Sequence, residues 1–207
     1  SHPVAQALAA LAPVFPAITH ARLEAVLTRA EAGLHQTRFL DYAGLSHFHA
    51  AGDRALAELA SGVLGGDAAA AAAAERLAHA LRLVGLISDT GAAVRRGQIW
   101  LPLDDLRRFD IKASELAGGR AYAAGWVPLM QLQADRARAA WSQAIDALPA
   151  SARRSHRPLL ILGQIAMRQL DEIEAEGFQI LHQRVALTPI TRLWLAWRTG
   201  LFGPRRA

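Results

Sequence analysis

Apolar residues recur along the chain at steps of three and four, and no run of strict alternation is long enough for a convincing strand, so the pattern predicts an all-helical protein. A first helix is expected from about His2 to Leu11, stopping before Pro13 and Pro16, which have no amide hydrogen to give a helix interior. Thr19 is placed to cap a second helix with Leu23, Val26, Leu27 and Ala30 on one side. Asp41 caps a third, longer one carrying Leu45, Phe48, Leu56, Leu59 and Val63, which Gly65 and Gly66 end. Asp67 then caps a fourth. It opens on seven consecutive alanines, Ala68 to Ala74, and continues through Leu77, Leu81 and Val84 towards Ile87. Alanine is the strongest helix former, and its small side chain lets a neighbouring helix approach closely.

From Gly91 to Asp110 the periodicity breaks, which predicts a loop followed by a short helix with Pro102 in its first turn. Gly118 and Gly119 separate this segment from a long helix between about Tyr122 and Leu148, closed by Pro149. Pro158 starts another that ends near Gly177, and the last runs from Pro189 towards Gly200. With 207 residues, no internal repeat and no long linker, residues 1–207 are expected to form a single domain.

Composition narrows the chemistry. At 52% hydrophobic and 20% charged residues the chain is too apolar to be disordered. The absence of cysteine excludes disulfides, thiolate zinc sites, iron–sulfur clusters and a cysteine nucleophile. The net charge of +5 comes almost wholly from arginine, with Lys112 the single lysine. Pairs such as Arg95/Arg96, Arg107/Arg108, Arg153/Arg154 and Arg205/Arg206 are scattered rather than gathered on one element, so no nucleic acid is expected as a partner. No stretch has the ~18 uninterrupted apolar residues of a membrane span, and no basic residues precede the apolar N-terminus. A cytoplasmic protein is expected, with peripheral membrane association as the alternative.

Among candidate ligands, His47 and His49 are two apart and point to different faces of a helix, which makes them a poor metal pair. His79 lies about one turn from Arg82, and Arg82 offers the planar fork that suits phosphate oxygens. Phe15, Phe39, Phe48 and Trp126 read first as core and second as cavity walls. Trp194 and Trp197, flanked by Arg192 and Arg198, form an amphipathic terminal helix ending in Phe202 and Arg205/Arg206. Closure of the helical core is the expected use of its aromatics, with an anionic membrane as the alternative partner.

Residues 74–111, AERLAHALRLVGLISDTGAAVRRGQIWLPLDDLRRFDI, resemble the second signature region of the squalene and phytoene synthase family. That pattern reads A-x-x-L-G-x-A-x-Q-L-T-N-I-L-R-D-x-x-E-D, then G-R-x-Y-L-P and an acidic short helix. Leu77, Ala80, Leu83, Asp89, Gly97, Ile99, Leu101, Pro102, Asp105, Leu106 and Phe109 fall in its register without a gap. The N-terminal HPVAQALA and the segment EIEAEGFQILHQRVALTPITRLWLAWR also resemble parts of the family, so the likeness covers nearly the whole chain. It implies a helical bundle of the isoprenoid-synthase type around a central cavity, here expected to lack the usual N-terminal helices.

The resemblance also implies a chemistry. The family joins two prenyl diphosphates head to head, with magnesium ions held by two aspartate-rich motifs neutralising the leaving diphosphate. Here Asp89 occupies the first acidic position, but Ala92 and Ala93 stand where the pattern has Glu and Asp. Arg82 replaces its Gln, Gly85 its Asn, Ser88 its Arg, Gln98 the Arg after glycine, and Trp100 its Tyr. A lone carboxylate is a poor magnesium site, and nothing in residues 1–41 supplies a D-x-x-x-D pair. No cofactor is therefore expected, with Mg²⁺ the ion implied for an active member. The spacing of Arg95 and Arg96 ahead of Leu101 and Pro102 is similar to that in phytoene-synthase-like complex I assembly factors, which also lack the acidic pairs.

These readings give a non-condensing family member that binds an isoprenoid-like ligand or a partner protein. An active or fragmentary head-to-head prenyltransferase is the alternative. The residues assigned to ligand binding are Arg82, Asp89, Arg95 and Arg96; Phe48, Leu81 and Gly85 are assigned to the cavity, and Asp89 to any metal.

Overall fold

The computed structural model describes residues 2–117 and 124–205, and among these the secondary structure is helical apart from one isolated backbone bridge. The predicted N-caps hold. Thr19 Oγ1 accepts from the Arg22 amide at the start of α2 (His20–His35), after a short α1 (Pro3–Leu11). Asp41 accepts from the Gly44 amide at 2.7 Å to begin α3 (Tyr42–Val63), and Asp67 from the Ala70 amide at 2.8 Å to begin α4 (Ala68–Ser88). Each side chain satisfies a donor that the first helical turn cannot pair internally.

The 91–110 stretch is more helical than its pattern suggests. It contains α5 (Thr90–Arg95) and α6 (Leu103–Arg108), with Pro102 just outside α6 as its cap, and α7 (Ala113–Ala117) follows. The long helix α8 spans Trp126–Ala147; its expected start at Tyr122, and the separating Gly118 and Gly119, lie outside the described residues. After a 3₁₀ turn at Ala150–Ala152 come α9 (Arg157–Ala175) and α10 (Pro189–Phe202).

Helix α4 is the axis of the molecule, packed against α3, α8 and α9, while α2 lies on α3 and α10 on α9. The alanines explain how close this packing is. Ala70, Ala73 and Ala80 of α4 and Ala134, Ala137 and Ala144 of α8 are all buried in one cluster with Trp126, Leu129, Met130 and Trp141. At Gly163 of α9 a Cβ would stand 2.0 Å from the Trp141 ring, so this glycine is what lets the indole come so close to the helix. Among the described residues no helix is long and apolar enough to cross a membrane.

One expectation fails at the C-terminus. The aromatic face of α10 does not close the core: Leu195 and Thr199 turn inward, whereas Trp194 and Trp197 are 53% and 61% exposed. The amphipathic pattern locates a polar and an apolar side but cannot say which of two partly apolar sides meets α9.

Candidate functional site

A cleft of about 580 Å³ opens between α2, α3, α4 and the start of α9. Along α4, Ala74, Ala78, Leu81, Arg82, Gly85 and Asp89 line it, a stripe at steps of three and four that follows from helical geometry. One end is apolar, with Leu56 of α3, Leu77 and Leu81 of α4, and Leu159 and Leu162 of α9. The other is cationic, with Arg29 of α2, Arg82 of α4 and Arg96 beyond α5, together with His49, Asp89 and Trp100.

The segment after α5 is strapped to the α2–α3 connection, which fixes Trp100 and Arg96 beside the cleft. Ile99 N donates to Thr37 O at 2.8 Å, and Leu103 N and Asp104 N donate to Phe39 O and Leu40 O at 3.0 Å. Gln98 Nε2 adds a bond to Gly33 O at 2.7 Å. From below, Asp105 is held by Gln133 Nε2 at 2.9 Å and by both terminal nitrogens of Arg136, whose guanidinium also lies 4.3 Å over the Tyr42 ring. The family-like Asp105 is thus a buried bolt between α6 and α8.

At the cationic end the charges are incompletely matched. Arg82 donates to Asp53 Oδ1 through Nε at 3.1 Å and Nη2 at 2.9 Å, yet the buried Oδ2 of Asp53 has no partner. Arg29 lies 4.0 Å over the Phe48 ring and donates through Nη2 to His49 Nδ1 at 2.5 Å, while its buried Nε is unpartnered. Burial, then the neighbouring Arg82, lowers the Arg29 pKa. Burial, then Arg29 and Arg82, pushes His49 down to about 3, so it stays neutral and accepts from Arg29. Burial also raises the Asp53 carboxyl, against the opposing pull of Arg82. Among the described residues Arg29 has no carboxylate within ion-pair distance. The site is a half-buried, net positive end on an apolar groove, which suits an anion attached to a greasy chain.

The sequence-assigned residues divide accordingly. Arg82, Asp89, Arg96, Leu81 and Gly85 come together in the cleft. Arg95 does not join them: its Nη1 donates to Leu181 O at 2.8 Å. Phe48 is one layer back, with its centroid 6.2 Å from that of Trp100 and 5.0 Å from that of Phe39. His79 faces a different cleft and bonds the Tyr42 hydroxyl at 3.2 Å. Sequence reasoning missed Arg29, His49, Asp53 and the α9 leucines. Its one available signal was His49 and Asp53 four apart on the buried side of α3, where polar side chains call for partners.

The squalene/phytoene synthase profile matches residues 1–191. The chain belongs to the squalene/phytoene synthase family. It is 33% identical over 124 residues to a 15-cis-phytoene synthase of Synechocystis, covering 58% of this chain and 36% of that protein. To a phytoene synthase of Thermus thermophilus it is 28% identical over 144 residues, 69% of this chain and 46% of that one. A chloroplastic phytoene synthase of Narcissus pseudonarcissus is 29% identical over 121 residues, covering 58% and 28%. The matched stretch is thus under half the length of each of these relatives.

Magnesium, the ion that family resemblance implies for condensation, does not fit the described residues. Asp89 is the one carboxylate lining the cleft, and Asp53 is committed to Arg82. Ala92 is half-buried, and Ala93, where the family pattern carries Asp, is 1% exposed. Among the described residues no three His, Asp or Glu side chains are placed to share an ion.

Proposed function

We propose that this squalene/phytoene synthase family member does not condense prenyl diphosphates but holds an isoprenoid-like amphiphile with an anionic head. The head meets Arg29, Arg82 and Arg96, and the chain lies along Leu56, Leu81 and Leu162. The observation that carries this reading is the pair Arg29 and Arg82 at the end of an apolar groove, where the one buried carboxylate, Asp53, is bonded by Arg82 alone. An anionic head relieves their repulsion where metal-bound carboxylates would otherwise be required. Resemblance to complex I assembly factors makes a partner protein the other occupant of the same groove.

The test is thermal stabilisation and Trp100 fluorescence on adding farnesyl or geranylgeranyl diphosphate, with and without EDTA. Binding to the folded state raises the melting temperature by mass action, and the shift is expected to survive EDTA. Gly85→Leu sharpens the test, because nothing lies within 4 Å of where a Cβ at Gly85 would stand. It should preserve or raise stability while filling the groove and abolishing the shift. No shift for the parent protein removes the amphiphile reading.

A second reading, head-to-head prenyltransferase activity, is favoured by Asp89, whose carboxylate makes no hydrogen bond or ion pair among the described residues. It requires magnesium-dependent release of pyrophosphate that Asp89→Ala abolishes. That result would replace the first reading.

A further inference from the structure

Helix α10 presents an apolar stripe to the outside. Ile190, Leu193, Trp194, Trp197 and Leu201 recur at steps of three and four, opposite the inward Leu195 and Thr199, and all five are more than half exposed. The stripe is ordered rather than ragged: Trp197 meets Phe202 edge to face with centroids 6.4 Å apart, and the Arg198 guanidinium lies 5.8 Å from the Trp194 ring. Beyond the helix the chain is pinned back, Arg205 O accepting from Trp141 Nε1 at 3.1 Å and Arg205 N donating to Gln164 Oε1 at 2.6 Å.

The acids of α9 are confined to its C-terminal end, where Asp171, Glu172 and Glu174 pair with Arg138 and Arg168 and Glu176 accepts from Gln183, and the rest of the charge around the stripe is positive. Residues 177–207 contain five arginines and no Asp or Glu, and residues 147–170 contain four more arginines and again no acid. At the C-terminal end of the stripe a cleft of about 430 Å³ brings Leu201 and Phe202 against exposed Arg153, Arg154 and Arg157, which make no ion pair among the described residues. These arginines stand on a firm corner, because buried His156 bonds Ser61 Oγ through Nε2 at 2.8 Å and Ser155 Oγ through Nδ1 at 3.0 Å.

We propose that the outer face of α10, together with Arg153, Arg154 and Arg157, docks on an anionic lipid bilayer. The helix would lie in the interfacial plane, with its tryptophans at the acyl boundary and the arginines on headgroup phosphates. Charge complementarity selects this occupant: a second copy of the chain would set these unpaired arginines against their own kind, and a neutral apolar partner would leave them unmatched. The proposal does not depend on what the α4 cleft holds.

Vesicle co-sedimentation of the full chain tests it, comparing phosphatidylcholine with phosphatidylcholine–phosphatidylglycerol vesicles. Partitioning is expected on the anionic vesicles, with a blue shift of tryptophan emission, and should weaken as salt is raised. W194A/W197A should lower it at least about tenfold, and R153Q/R154Q/R157Q should do the same on anionic vesicles alone. All five side chains are exposed, so both variants should keep the parent's circular dichroism and melting temperature. Equal partitioning on neutral lipid, partitioning unaffected by W194A/W197A, or no partitioning overturns the proposal. A dimer in light scattering that W194A/W197A dissolves, with no vesicle binding, reassigns the face to a second copy.

Discussion

Among the described residues two arginine–aspartate pairs with a buried carboxylate join helices, and they are built differently. Asp105 has both oxygens occupied by Arg136 and Gln133, and the arginine lies against an aromatic ring. Asp53 engages Arg82 through one oxygen only, its other oxygen is buried without a partner, and Arg82 faces an open cleft beside another arginine. The first arrangement uses its charges up in holding α6 to α8. The second keeps charge in reserve, which is how a binding site differs from a structural tie made of the same residue types.

The comparison can be broken most sharply at Asp105. Asp105→Ala leaves Arg136 without its counter-charge and should lower unfolding free energy by about 3–5 kcal/mol, read from urea denaturation. Acid should act on the other region. His49 has its folded pKa depressed to about 3 from 6.5, so the stability it contributes is present above pH 6.5 and is lost as pH falls towards 3. Each pH unit in that window is worth up to roughly 1.4 kcal/mol, giving a loss of roughly 2 kcal/mol by pH 5 that His49→Gln should remove. Asp53 opposes this trend at the acid end, because a raised carboxyl pKa favours the folded state as pH falls.

Arg82→Gln should shift stability by about 1 kcal/mol or less, since the side chain is 36% exposed and Asp53 is already inclined to take up a proton. Its effect on the amphiphile should be larger, at least about tenfold in affinity by isothermal titration. The smallest change is expected from Asp53→Asn. It keeps an oxygen for Arg82 and removes a costly buried charge, so stability should hold within about 1 kcal/mol while anion affinity rises a few-fold. A large loss of stability there would make the two pairs equivalent and erase the distinction.

How far these features were legible in the sequence follows from how local their causes are. Thr19, Asp41 and Asp67 mark helix starts because a cap acts within three residues. Pro102 marks the short helix α6, whereas α5 and α7 are obscured because strap bonds to residues 37, 39 and 40, together with burial, help hold that region, and no local period records them. In the cleft, Leu81, Arg82, Gly85 and Asp89 could be read together because one helix carries all four. Arg29 could not, since its importance arises from α2 lying on α3, and its own surroundings in sequence look like any solvated helix face. The outward turn of α10 is hidden for a related reason: Leu195 and Thr199 make a modest inner face, and the larger side chains beside them carry the stronger amphipathic signal.

Ala93 limits which side chains its position can accept. Its methyl is enclosed, and neighbouring Gly91 is pressed so closely on the backbone of residues 180 and 181 that a Cβ there would stand 2.3 Å from Ile180 O. Ala93→Asp would place a carboxylate in that enclosed space, where an unpaired charge is costly. A longer side chain at position 93 would first have to push that corner open.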